Sequence, residues 1–258
     1  MPKSIAFVRR PGPSYNRAIS ANPKDQPIDL KRACLQHELY ISALEEAGVK
    51  VVVLPAINEY PDGPFVEDTT VIFDHIALAC PNKTKSRRGE GTSIHKEIKK
   101  YRTIKTLPHF VTLDGGDVLN TEEKIFVGIS SRTNFEAVNA LAKFTKKPII
   151  PIKILRGLHL KTSVSYLGND ILVLDPSSVE TSPLHEFKWI ETDSSSHRAA
   201  NCLAIENKVL MSKESNQIAD RIHKEGFKTL ELDISEFEKA DGGLTCLSIM
   251  LKKNDSQK

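Results

Sequence analysis

Apolar residues along this chain come in short runs, and the runs recur in a fixed order. Residues 5–9 form a brief β-favouring run. A stretch rich in Pro, Gly, Ser and Asn follows over about 10–27, long enough to serve as a lid. Asp29 is placed to cap a helix over 30–47, where Leu30, Ala33, Cys34, His37, Tyr40, Ile41 and Leu44 fall on one face. Gly48 ends that helix, and 49–54 reads as a buried strand.

From residue 65 a hairpin, helix and strand appear together, and the set repeats. The first set is a hairpin of 65–73 with 76–80, a helix over 92–101 and a strand over 106–113. The second is 117–119 with 124–129, helix 134–144 and strand 148–155. The third is 163–167 with 171–174, a short helical stretch after Asp175, and strand 187–191. The fourth is 202–205 with 209–211, helix 214–225 and strand 229–232. A last strand over 244–251 stands alone, and the N-terminal strand, helix and strand are the pieces it lacks. The pattern predicts an α/β chain of five ββαβ units with pseudo-fivefold symmetry, the last unit closed by the N-terminal segment. Hairpin entries near 67, 114, 161, 202 and 246 give a period of roughly 40–50 residues, as in propellers. If the units close into a β/α propeller ring, those entries converge, bringing Glu67, Asp68, Asp114, His159, Asn201 and Cys246 to one end of the axis.

At 258 residues and 40% hydrophobic the chain can bury a full core, and we expect one catalytic domain over 1–258 with a short polar tail at about 253–258. Net charge is +3 with acids and bases nearly balanced, so no nucleic-acid footprint stands out. Lys83, Lys85, Arg87 and Arg88 come nearest to a basic patch, and that cluster is short. No apolar run reaches membrane-spanning length, and the N-terminal run is too short for a signal peptide. Cys34, Cys80, Cys202 and Cys246 are far apart, with no CxxC and no zinc-spaced histidine pair. That pattern predicts no disulfides, no metal and no cofactor, and it suits a reducing cytoplasm.

The candidate chemistry gathers at the convergent entries. Asp241-Gly242-Gly243 makes a tight turn that presents Cys246 at the head of the last strand. A lone cysteine there is more often a small hydrophobe; the company of His159 and Asp114 favours a nucleophile with its base and orienting acid. Asp114 opens an acid-Gly-Gly-acid turn, and His159 lies between two leucines on the approach to a strand. Asp62, Glu67 and Asp68 lead straight into a core segment, so these carboxylates need a cationic partner, which a guanidinium suits best. Arg87 and Arg132 occupy near-equivalent positions in adjacent units and can hold a substrate carboxylate. The other seven histidines read as ordinary helix and loop residues.

The segments around Asp62, Phe65-Val66-Glu67-Asp68, Ser86-Arg87-Arg88, Leu113-Asp114-Gly115-Gly116-Asp117-Val118-Leu119, Ser131-Arg132-Thr133-Asn134, Gly157-Leu158-His159-Leu160-Lys161, Ala199-Ala200-Asn201-Cys202 and Asp241-Gly242-Gly243-Leu244-Thr245-Cys246 resemble dimethylarginine dimethylaminohydrolase in order along the chain. The resemblance implies the five-bladed β/α propeller of the guanidino-group-modifying enzymes (the pentein superfamily). It implies hydrolysis of Nω-methylated arginine to citrulline and a methylamine through a covalent thiouronium on the cysteine. By similarity Cys246 attacks, His159 moves protons and Asp114 orients it. Asp62, Glu67 and Asp68 match guanidinium-binding positions, Arg87 and Arg132 match α-carboxylate positions, and the carbonyl of Ala240 matches a backbone contact to the substrate. The lid over 10–27 departs from the family, with Tyr15 standing as the residue over the substrate, and Gly243 replaces a larger residue. The expected partner is a small guanidino amino acid, with the chain a monomer or homodimer, no nucleic acid and no membrane. Deimination of arginine or another guanidino compound is the rival activity, and a non-catalytic propeller module is the rival class.

Overall fold

The computed structural model describes residues 2–21, 27–73, 75–193, 196–213 and 216–252. Part of the expected lid (22–26), the start of the fourth helix (214–215) and the polar tail (253–258) lie outside the described residues.

The chain opens with β1 (Ser4–Arg9), α1 (Leu30–Glu46) and β2 (Lys50–Leu54). Asp29 caps α1 by accepting from the Arg32 amide, and Gly48 leaves it at φ +84. The next unit is β3 (Thr70–Ile72), β4 (Ile76–Ala79), α2 (Thr92–Ile98) and β5 (Thr103–Thr106). Then come β6 (Val118–Asn120), β7 (Ile125–Ile129), α3 (Glu136–Leu141) and β8 (Ile149–Lys153). The third unit runs α4 (Leu160–Ser163), β9 (Val164–Gly168), β10 (Ile171–Leu174) and β11 (Lys188–Glu191). The fourth holds β12 (Leu203–Ile205), β13 (Lys208–Ser212), α5 (Asn216–Lys224) and β14 (Lys228–Leu232). A single turn, α6 (Ser235–Glu238), leads to β15 (Ile249–Lys252).

The strands form five separate three-stranded sheets, and each has the same pairing. A first strand runs antiparallel to a second, and the second runs parallel to a third. In the fifth sheet β15 pairs antiparallel with β1, and β1 pairs parallel with β2, so the two chain ends close one blade. The middle strand of each blade is the buried one, which is why its sequence reads as an unbroken apolar run. Third strands lie at the blade edge. The expected burial of β2 is therefore overturned along most of its length, with Val53 exposed and Leu54 buried.

The structure changes the reading of the blade entries. Residues 65–69 and 244–248 were expected to be extended, but each folds as one tight turn, Val66–Thr69 and Thr245–Leu247. Comparable turns sit before the other first strands: Gly115–Asp117, α4, and His197–Ala200. Neighbouring turns pack on one another around the hub, the last on the first, the first on the second, the second on the third and the third on the fourth. Hydrogen bonds between Asn201 and Thr245 link the fourth back to the fifth. The stretch 107–113 is also not a strand; Val111 and Leu113 are apolar because they are buried as loop residues.

Candidate active site

Every residue with candidate chemistry sits in or beside one of these five turns. Phe65 and Val66 are buried and anchor the first turn, which leaves Glu67 and Asp68 facing the hub. Asp68 Oδ1 accepts from the Gly116 amide at 3.1 Å, and Oδ2 meets Arg87 Nη1 at 2.7 Å. Burial opposes the charge on Asp68, but His159, Arg87 and the Gly116 amide outweigh it and hold the carboxyl down at about 2.

Arg87 departs from expectation. Its Nε and Nη2 also bind Glu90 at 2.9 and 2.7 Å, and Nη2 donates to the Phe65 carbonyl at 3.0 Å. The guanidinium is buried and all three nitrogens are engaged within the protein, so it buttresses Asp68 and offers no free face to a carboxylate. Arg132 is more open: among the described residues Nη1 is engaged by the Thr84 hydroxyl and lies 3.9 Å from Asp114 Oδ2, leaving its other donors available.

The second and third turns bring the histidine to its acid. His159 Nε2 lies 3.1 Å from Asp114 Oδ2, while Asn82 Nδ2 donates to Oδ1 at 2.9 Å. Gly116 makes this possible, because a Cβ there would sit 2.9 Å from the imidazole and from Asp68. Asp117, the other acid of the turn, is committed elsewhere: it accepts from Ser130, Thr133 and the Leu160 amide. Burial disfavours the imidazolium, yet Asp68, Asp114 and Asp117 reverse that and push His159 up to about 9. Donor atoms of Asp68, Asp114 and His159 lie within 4.8 Å of one another, close enough for one divalent ion. Such an ion would compete with Arg87 and with the Asp114–His159 bond for the same lone pairs.

Cys246 lies in the fifth turn, between the buried Leu244 and Leu247, and is half-buried. Asp241 enters the turn at φ +57, and Gly243 has no room for a side chain, since a Cβ would come within 2.4 Å of Asn201. Burial pushes the Cys246 thiol up, as do Glu67 and Asp68, and the Gly243 amide and Lys161 only partly offset them. These surroundings favour the protonated thiol and the charged imidazole. Cys80 and Cys202 are core residues, and Cys34 lies exposed on α1, away from the hub.

Asp62 is buried and accepts from the Ile19 amide at 3.1 Å, and Asp241 accepts from the Ala21 amide at 2.7 Å. These bonds pull the described part of the lid down on the site. Tyr15 does not face the substrate side: its ring packs on Phe65 and Phe237, and its hydroxyl donates to the Glu236 carbonyl. It anchors the lid from below. Among the described lid residues Ile19, 40% exposed, is a large apolar residue held at the site through its amide, and an isoleucine in a polar loop was the signal for it. Ala240 is buried at the start of the turn, its amide donating to Phe237. Sequence reasoning also missed Asn82, Thr245 and Lys161; Lys161 Nζ is 2.6 Å from Glu67 Oε1. A cavity of about 410 Å³ opens beside Asn82, lined also by Thr69, Cys80, His95 and His109.

A five-bladed propeller with a cysteine, a histidine–aspartate pair and buried carboxylates at its hub defines the class of guanidino-group-modifying enzymes. Within that class the chain belongs to the N,N dimethylarginine dimethylhydrolase family (eukaryotic), whose model matches residues 2–251. The N(G),N(G)-dimethylarginine dimethylaminohydrolase of Pseudomonas aeruginosa is 28% identical over 248 residues, covering 94% of this chain and 97% of that one. A solved structure of the Pseudomonas enzyme, a cysteine-to-serine variant with citrulline, superposes with a TM-score of 0.90 at 26% identity, covering 96% of this chain and 98% of that one. A histidine-to-glycine variant forming an adduct with S-methyl-L-thiocitrulline gives 0.91 at 26% identity, covering 96% and 99%. The arginine dihydrolase ArgZ, at 17% identity and a TM-score of 0.90 over 97% of this chain and 98% of its N-terminal domain, shares the fold.

Proposed function

We propose that the protein hydrolyses Nω-methylated L-arginine to L-citrulline and a methylamine, with Cys246 as nucleophile, His159 as acid and base, and Asp114 as the residue that orients it. The observation that carries this reading is the His159–Asp114 bond set beside two buried carboxylates on the turn that packs against the cysteine turn. The Pseudomonas relative's complex with citrulline and a dimethylarginine dimethylaminohydrolase adduct with a thiocitrulline support the same chemistry here.

Guanidinium is a poor electrophile, so the site must hold it planar and supply charge as the reaction develops. Glu67 and Asp68 hold the guanidinium over the thiol, and the arriving cation lowers the cost of ionising Cys246, whose proton leaves to solvent. The thiolate adds to the central guanidinium carbon. His159, already charged, gives its proton to the methylated nitrogen, the C–N bond breaks, and the methylamine departs. The now neutral imidazole takes a proton from water, and the hydroxide adds to the thiouronium carbon. The hydroxyl of this adduct releases its proton to solvent as the C–S bond breaks, giving citrulline and the thiolate. Asp62, expected with Glu67 and Asp68 at the guanidinium, is tied instead to the lid through the Ile19 amide; there it and the Ala240 carbonyl suit an α-ammonium, and Arg132 suits the α-carboxylate. Four free thiols suit a reducing compartment such as the cytoplasm, with the chain acting as a single catalytic domain on a small substrate. Among the described residues no helix is long and apolar enough to cross a membrane.

The test is incubation with asymmetric dimethylarginine and, separately, with arginine, followed by identification of the amine. Dimethylamine from the first supports the reading. Ammonia from arginine alone would make the protein a deiminase, and no amine from either would leave it a binding module.

A further inference from the structure

The mechanism above gives no task to a half-buried cation at the hub, Lys161. Lys161 Nζ lies 2.6 Å from Glu67 Oε1, and the Thr245 hydroxyl donates to Glu67 Oε2 at 2.8 Å. Thr245 is the chain neighbour of Cys246, so this carboxylate moors the nucleophile's turn to the first blade. Asn201 locks the arrangement from the fourth blade. Its Nδ2 donates to the Lys161 carbonyl at 2.7 Å and to the Thr245 hydroxyl at 3.0 Å, and its Oδ1 accepts the Thr245 amide at 3.1 Å. Both oxygens of Glu67 are therefore engaged before any substrate arrives.

That engagement has a consequence for charge. The titratable groups facing the Cys246 thiol are Glu67 and Asp68 from the first turn, Lys161 from α4, and the Tyr15 and Tyr40 hydroxyls from the lid and α1. Asp68 already shares its charge with Arg87, whereas Glu67 has Lys161 as its cation. An unpaired carboxylate beside the thiol opposes formation of the thiolate. A carboxylate needed to grip a guanidinium cannot simply be dispensed with. We propose that Lys161 is a positioning residue that resolves this conflict: its ammonium balances Glu67, which can then hold a guanidinium without repelling the nucleophile's negative charge. The balance costs some grip on the substrate, because guanidinium and ammonium compete for one carboxylate.

The inference rests on Cys246 being the nucleophile, but its test needs no substrate. Iodoacetamide alkylation of Cys246, followed by peptide mass mapping from neutral to alkaline pH, reads thiolate formation directly. Lys161→Gln keeps a donor for Glu67 and removes the charge; it should slow alkylation by about tenfold at a given pH, as expected for a shift of about one pH unit. Lys161→Arg restores most of the rate. Glu67→Gln acts in the opposite sense and speeds alkylation, which keeps the test alive if Lys161→Gln unfolds. In turnover of Nω-methylarginine, Lys161→Gln lowers kcat with KM unchanged or lower, a split that loss of packing alone does not produce. Wild-type alkylation rates in Lys161→Gln, equal slowing in the Gln and Arg variants, or no effect of Glu67→Gln would each overturn the proposal. A wild type that alkylates as described yet turns over no guanidino compound would sink the proposed function and leave the role of Lys161 standing.

Discussion

His159 Nε2 and Asp114 Oδ2 lie 3.1 Å apart in a buried contact between the second and third blades. The second oxygen of Asp114 is occupied by Asn82, so the carboxylate has one orientation and imposes one on the imidazole. Asp117, three residues on, instead ties Ser130, Thr133 and the Leu160 amide together. The two acids of one turn therefore have separable roles. Asp114→Asn should lower kcat by about 10²–10⁴-fold, the scale for disturbing a general acid–base, with little change in thermal stability. Asp117→Asn should lower the unfolding midpoint first, because it leaves buried donors unpaired. Steady-state rates and melting curves of both variants check this; the reverse assignment would make Asp117 the orienting acid.

The charge state of His159 sets a pH limit. Its folded value is pushed up to about 9, above the usual 6.5, so the imidazolium that protonates the leaving amine is fully present at neutral pH. It is lost as pH rises through about 9. The matching stability, complete below the unfolded value, fades over the same rise. We expect kcat for a methylarginine to fall on the alkaline side near pH 9, and His159→Asn to abolish that limb along with several orders of magnitude in rate. A kcat that keeps rising through this range would show that His159 does not act as the acid.

Cys246→Ser should abolish turnover and leave the fold intact, since it removes the thiolate and almost no volume. Cys34→Ala, at an exposed position on α1, should leave the rate unchanged. Retained activity in the serine variant would make Cys246 structural. Alkylation mapped in the presence and absence of citrulline tells whether product protects this thiol.

The order of elements was legible because each blade's middle strand is buried on both faces and reads as an apolar run, as in 125–129 and 171–174. The turns were not. Phe65-Val66 and Leu244-Thr245 carry β-favouring residues whose burial comes from the hub, so a tight turn looks like a strand. Of the site, Cys246, His159 and Asp114 could be found because fold symmetry places them together. Arg87 was read without Glu90, three residues on, which its guanidinium binds. Lys161 could not be judged, because its role depends on Glu67 in another blade. Tyr15 and Ile19 differ only in which way the loop turns, and no local pattern states that.

His37 gives a prediction about stability alone. It sits on the buried face of α1 against Tyr40 and Phe237, and among the described residues neither ring nitrogen has a hydrogen-bond partner. Burial, with a contribution from Arg10, lowers it to about 4, so the folded state holds it neutral. The unfolded chain takes up a proton near 6.5, so stability is lost as pH falls from about 6.5 towards 4. At pH 5 the loss is about 2 kcal/mol relative to neutral pH. His37→Leu, of similar volume, should remove that part of the acid sensitivity and stabilise the protein at neutral pH by about 1 kcal/mol or more. Urea unfolding at pH 5 and 7 measures both; equal acid sensitivity in variant and wild type would show that His37 finds a partner in solution.

Which guanidino compounds are accepted depends on the end of the site away from the thiol. Glu67 and Asp68 can hold any guanidinium, so discrimination falls to the groups that meet the α-carbon. Both arginines were expected to read the carboxylate, but Arg87 is bound to Asp68 and Glu90 and loses nothing when a substrate lacks one. Arg132, with a side chain 14% exposed, is left as the reader. Removing its anion forfeits charge-assisted hydrogen bonds of about 1.5–3 kcal/mol, a discrimination of about 10–100-fold. We therefore expect kcat/KM for Nω-methyl-L-arginine to exceed that for agmatine by this factor. Arg132→Ala should close the gap mainly by raising KM for the amino acid. Arg87→Ala should instead impair both compounds together, because it frees Asp68 and Glu90 as unpaired buried acids. Equal kcat/KM for the two compounds in the wild type would show that Arg132 reads no carboxylate. A gap closed by Arg87→Ala alone would return that role to Arg87 and require the guanidinium to leave Glu90 when substrate binds.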